Sequence, residues 1–198
     1  SVVDASSDNN FDAVADQTVS VLTTDDDVAG FTIAETDGST TVTEAGGTDT
    51  FTAVLNAQPD SNVTLQITSS DTGEATATSL ITFTPLNWDT PQIATITGVD
   101  DDIIDGTIFS TLTVAVKDSV SDNNFDSVAD QTVSVSTTDD DVAGFTIVEL
   151  EGSTGVDESG TTDTFTVVLN AQPDSNVVLS ITSSDTGEVT VTGTVTFT

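Results

Sequence analysis

Of the 198 residues, 34 are Asp or Glu, and nearly all the chemistry open to this chain belongs to them. Lys117 is its one basic side chain, and it has no His, Cys, Tyr or Met, so its formal charge is −33. It therefore lacks an imidazole base, a thiolate nucleophile and every soft-metal ligand. A surface this negative repels phosphate backbones and anionic lipid heads, which argues against nucleic-acid binding and electrostatic membrane docking. Carboxylates and hydroxyls are the donors of hard, oxygen-seeking cations, and cations are the natural partners of such a surface.

The carboxylates are clustered. Asp100-Asp101-Asp102 is followed by Asp105, the triplet Asp25-Asp26-Asp27 recurs as Asp139-Asp140-Asp141, and Glu44 and Asp71 stand alone in turns. One acidic run is ordinarily a solvated face. Here the runs coincide with the ends of strand-like segments, so they can converge. Two carboxylates about 4 Å apart repel by roughly 4 kcal/mol at an effective dielectric near 20. Ca²⁺ removes that repulsion and tolerates irregular coordination by six to eight oxygens, whereas Mg²⁺ requires a stricter octahedron.

The elements that must position these groups are repeated. Sliding the sequence by 114 residues aligns Asp8-Asn9-Asn10-Phe11 with Asp122-Asn123-Asn124-Phe125, and 63 of 84 overlapping positions are identical without a gap. This is tandem duplication. Each Asp triplet closes one strand-like run and precedes another, which places a repeat boundary there. One complete repeat then spans 28–141, with 1–27 as the last strand and preceding loop of an earlier repeat and 142–198 as the first half of a later one. Period-two alternation within 28–141 predicts seven strands, around 31–33, 51–55, 63–67, 80–83, 93–99, 112–116 and 133–135. Turn signals such as Asp37-Gly38, Gln58-Pro59-Asp60 and Asp105-Gly106 separate them. The expected architecture is all-β: tandem seven-stranded, immunoglobulin-like antiparallel β-sandwiches that lack a disulfide.

The runs Gly98-Val99-Asp100-Asp101-Asp102-Ile103-Ile104-Asp105 and Val135 to Phe145 resemble the Calx-beta domain, the Ca²⁺-binding sandwich of sodium-calcium exchangers and bacterial surface proteins. Val42-Thr43-Glu44-Ala45-Gly46 is similar to that family's early Glu-bearing turn, and Ser70-Asp71-Thr72-Gly73 to its mid-domain acidic turn. The resemblance covers 28–141 fully and the flanking pieces as partial copies. It implies Glu44, Asp71, Asp100, Asp101, Asp105, Asp139, Asp140 and Asp141 as Ca²⁺ ligands. The exchanger domains carry a denser acidic stretch where Gly106 stands here, which implies fewer ions or weaker binding.

The expected function is structural: an extracellular Ca²⁺-binding module of a long secreted or cell-surface adhesin or filament, with Ca²⁺ rigidifying the junctions between repeats. Its partners would be calcium ions and neighbouring repeats of the same chain or of other copies, without nucleic acid or membrane insertion. The alternative is a Ca²⁺-dependent module that binds a glycan or a surface. Such a module should display aromatics on one set of loops, and none is evident. No enzyme is expected, since the acids recur in every repeat and no insertion builds a cleft. The stretch Asp118 to Asp130 has alternately spaced oxygens but no EF-hand Gly or terminal Glu, so it reads as an extra ion site or as a loop pinned by Phe125. Trp88, the only Trp, reads as a cap on the core. The sequon Asn62-Val63-Thr64 is not kept at Asn176-Val177-Val178. Residues 18–21 could also act as a donated strand, joining copies head to tail.

Overall fold

Alternation of apolar and polar residues builds a two-sheet unit within residues 28–141 in the computed structural model, which describes residues 1–198. Nine strands form there: β1 (Phe31–Glu35), β2 (Thr40–Thr43), β3 (Thr48–Leu55), β4 (Val63–Ser69), β5 (Ala75–Ala77), β6 (Leu80–Phe83), β7 (Gln92–Gly98), β8 (Ile108–Val116) and β9 (Gln131–Thr138). They lie in two sheets, of order β1-β3-β7-β5 and β2-β9-β8-β4-β6. Alternate residues of both sheets point inward and meet in one core of 18 buried side chains, among them Phe51, Phe83, Leu65, Ile96, Leu112, Val114, Val133 and Val135. Fully burying each of these aliphatic or aromatic side chains contributes about 1.5–3 kcal/mol. Trp88 packs against this core and Phe125 is part of it.

The chain is thus all-β, as expected, but the count of seven strands is too low. β2 and β5 were missed because Thr40–Thr43 and Ala75–Ala77 are short and rich in Thr and Ala, with too few apolar residues to register as alternation. The expectation of a wholly antiparallel sandwich also needs correction, because β2 pairs with β9 in parallel, Thr40 opposite Val135 and Thr43 opposite Thr138.

Outside 28–141 the same sequence behaves differently. Residues 18–21, read as a final strand, form none, and Val19 and Val21 are 88% and 81% exposed. Their aligned counterparts Val133 and Val135 are 1% and 0% exposed, because β9 lies between β2 and β8. Residues 142–198 carry four strands in two separate ladders, β10 (Phe145–Glu149) with β11 (Phe165–Leu169) and β12 (Val177–Ser180) with β13 (Thr194–Phe197). These repeat the β1–β3 and β4–β6 pairings in register but do not close into a sandwich.

Candidate metal site

The strand directions explain how distant carboxylates meet. Parallel strands finish at the same end of a sheet, so β2, which runs into Glu44, and β9, which runs into Asp139-Asp140-Asp141, deliver both segments together. The backbone continues the pairing one step further, with Glu44 N–H donating to the Thr138 carbonyl at 3.1 Å. β7 ends at the same place and runs into the loop Asp100–Gly106. β5 is antiparallel to β7, with Ala75 opposite Gly98, so the residue before β5, Glu74, is set beside the end of β7. Val99 N–H donates to the Glu74 carbonyl at 2.9 Å, fixing that junction.

Two turns shape the approach. After Glu44 the chain reverses through Gly46, whose φ of +80° is left-handed backbone that a residue with a Cβ adopts only under strain. Gly98 allows β7 to touch the end of β2: a Cβ there would stand 2.1 Å from the Thr43 carbonyl oxygen. Asp139 then ties the two acidic segments together. Its Oδ2 accepts from Gly106 N–H at 2.9 Å and its Oδ1 from Asp141 N–H at 2.7 Å, and these bonds hold its carboxyl below its ordinary pKa.

The result is a pair of three-carboxylate groups that share Glu44. One consists of Glu44, Asp101 and Asp141, the other of Glu44, Glu74 and Asp105, and within each the ligand-capable atoms lie within 4.8 Å of one another. Glu44 is 1% exposed and Glu74 7%. Neither Glu44 oxygen meets a hydrogen-bond donor, nor does Glu74 Oε2 or Asp141 Oδ2, although all four atoms are buried. The only ion pair in the chain joins its amino group to Asp16, so no basic side chain balances the cluster. Burial, followed by the charges of Asp101, Asp105, Glu74 and Asp139, pushes Glu44 from its ordinary 4.5 up to about 7. Glu74 is raised by burial first and then by Asp105, and Asp141 by burial first and then by Asp102.

Buried carboxylates that are neither hydrogen-bonded nor paired are costly, and the cost is relieved either by taking up a proton or by binding a divalent cation. The donor set is all oxygen, which fits a hard cation and no soft one. The residues fit Ca²⁺ on that ground.

Of the eight residues that the sequence resemblance implied, the structure brings Glu44, Asp101, Asp105 and Asp141 into the two groups. Asp139 adjoins them as the strut between the loops. Asp100 and Asp140 are exposed and belong to neither group. Asp71 also stands outside, its Oδ1 accepting from Gly73 N–H at 3.0 Å in the turn before Glu74, whose charge it opposes. Glu74 is the residue that sequence reasoning missed. Its signal was present, since Asp71-Thr72-Gly73-Glu74 recurs as Asp185-Thr186-Gly187-Glu188, but it carried no weight until β5 was recognised.

The stretch Asp118 to Asp130 contributes to neither carboxylate group. Asp122, 5% exposed, accepts there from the backbone N–H groups of Asp60 at 2.6 Å, Ser61 at 2.9 Å and Asn124 at 2.9 Å. The bonds from Asn124 and Ser61 lower its pKa most. With Phe125 beside it in the core, the segment is a loop pinned at Phe125.

No family model matches the sequence, and no curated protein does. Solved structures with a similar arrangement include the apo form of the Calx CBD1 domain, at 18% identity and TM-score 0.42 over 58% of this chain and 99% of that one. Surface layer protein SbsC, domains 1–6, aligns at 16% identity and TM-score 0.38 over 91% of this chain and 23% of that one. A Bacteroides ovatus GH5 xyloglucanase aligns at 13% identity and TM-score 0.37, where this chain spans only 18% of the other. These likenesses are distant and concern the β-architecture alone. No helix is long and apolar enough to cross a membrane.

Proposed function

We propose that this chain is a Ca²⁺-binding structural module of a long extracellular array, such as a secreted or cell-surface adhesin or filament, with Ca²⁺ holding the end of each repeat rigid. The observation that carries the reading is Glu44, a carboxylate buried to 1% exposure, with both oxygens unpartnered, at the centre of four other carboxylates. Glu44, Glu74, Asp101, Asp105 and Asp141 would hold the cation, and Asp139 would set the spacing of their loops. The near-identity of tandem copies and the extreme negative charge favour a repetitive spacer over a catalyst, and no catalytic role is proposed. Extracellular Ca²⁺ modules bind with dissociation constants of about 10⁻⁴ to 10⁻³ M, and that range is expected here. Isothermal calorimetry with CaCl₂ and MgCl₂ tests the reading. Saturable Ca²⁺ binding that Glu44→Gln abolishes supports it, and the absence of Ca²⁺ binding at millimolar concentration overturns it.

A further inference from the structure

We infer that the acidic loop Asp100–Gly106 has a second use: it is the surface on which the following repeat docks, through the turn Asn170–Asp174. The Gln172 N–H donates to the Asp102 carbonyl at 2.6 Å, and Ile103 and Gln172 form a parallel β-bridge outside the named strands. The loop is preformed for this. Asp101 Oδ1 accepts from Ile103 N–H at 2.7 Å, so the residue whose carboxylate joins the Glu44 group also fixes the backbone that presents the Asp102 carbonyl outward.

The turn is chemically suited to a surface of this charge. The first four residues of the turn, Asn170-Ala171-Gln172-Pro173, carry no carboxylate, so the Gln172 N–H meets the loop of four Asp residues as an uncharged donor, and Asp174 is the one acid in the turn. Pro173 has no N–H and restricts Gln172 to extended backbone, the conformation a β-bridge requires. The turn also rides on a defined scaffold: Asn170 N–H donates to the Gly144 carbonyl at 3.0 Å, tying it to the start of β10. Leu169 to Val177 is identical to Leu55 to Val63, so the complete repeat carries both the loop and the turn that fits such a loop.

The contact is made by backbone groups of Asp102, Ile103 and Gln172 rather than by a carboxylate, so it does not require the cation. The test uses the full chain, with backbone amide exchange and residual dipolar couplings by NMR and with Ile103→Asp as the variant. In the wild type the Gln172 amide should exchange at least about tenfold more slowly than a free peptide, and residues 28–141 and 142–198 should share one alignment tensor. Ile103→Asp should return Gln172 to the free rate and separate the tensors while the Trp88 fluorescence melt of the complete repeat persists. Free exchange at Gln172 in the wild type overturns the docking, and so does unchanged protection in a folded Ile103→Asp protein. Should that variant not fold, the wild-type exchange rate decides alone. Docking that survives while calorimetry finds no Ca²⁺ would sink only the cation reading.

Discussion

Glu44→Gln should stabilise this protein without divalent cations and weaken it with them. In the cation-free fold Glu44 keeps its proton up to about pH 7, whereas the unfolded chain releases it near 4.5. Between those values the folded state binds more protons than the unfolded one, so Glu44 removes stability as pH rises through that window. At about 1.36 kcal/mol for each pKa unit, the rise from 4.5 to about 7 costs about 3 kcal/mol once pH exceeds 7. Gln keeps the shape and carries no charge, so at pH 8 with chelator the variant should be more stable by up to that amount. For a module of this size that is about 12 °C in Tm, taking roughly 4 °C per kcal/mol. Saturating Ca²⁺ reverses the order: at 100 times its dissociation constant a ligand adds about 2.7 kcal/mol to the wild type, while the variant, lacking the shared carboxylate, gains little. Thermal melts followed by Trp88 fluorescence at pH 5 and pH 8, each with chelator and with CaCl₂, read all four states. Equal melting of the two proteins in chelator at pH 8, or equal Ca²⁺ stabilisation of both, would refute the reasoning.

Asp122→Ala should cost about 2–4 kcal/mol in urea unfolding, since it leaves three backbone donors without their charged acceptor. Because the Asp122 pKa is lowered in the fold, its contribution is present above pH 3.8 and is lost as pH falls below it, the opposite sense to Glu44, and an acid titration of Asp122→Asn should show that loss missing. Phe125→Ala, emptying a 2%-exposed core position, should cost about 3–5 kcal/mol by the same assay. Gly98→Ala places a Cβ against the Thr43 carbonyl and pushes the end of β2, so it should cost about 1–3 kcal/mol and weaken Ca²⁺ binding in calorimetry through displacement of Glu44. Asp71→Asn should leave the Ca²⁺ affinity within about twofold, because Asp71 caps its own turn outside both carboxylate groups.

The sequence by itself determined the β-class, the repeat and most of the carboxylates. Alternation of side chains about a strand is a local property, so the seven strands with apolar residues at alternate positions were legible, and the 114-residue offset required only comparison of letters. Asp101, Asp105 and Asp141 were visible because they follow such strands, whereas Glu44 was singled out only through the resemblance of its turn to that of the Calx-beta family. Glu74 was not, since its place depends on β5 lying against β7, and β5 has too few apolar residues to announce itself. Nor was the parallel pairing of β2 with β9, although it is what carries Glu44 to Asp141 across about a hundred residues.

The copies of the repeat show why tertiary structure alone could decide these points. Val42 is 2% exposed in β2, while its aligned Val156 is 44% exposed and in no strand, because β2 forms only against β9 and residues 142–198 include no counterpart of β9. Ala75–Ala77 is a strand beside β7, while the aligned 189–191, with the more strand-prone Val189 and Val191, is not. Glu158 and Glu188 align with Glu44 and Glu74, yet both are exposed and belong to no carboxylate group. Local preference makes a short segment able to be a strand, but hydrogen bonds to a neighbour and a buried face are what make it one. A site assembled from the ends of such strands exists only where every partner is present.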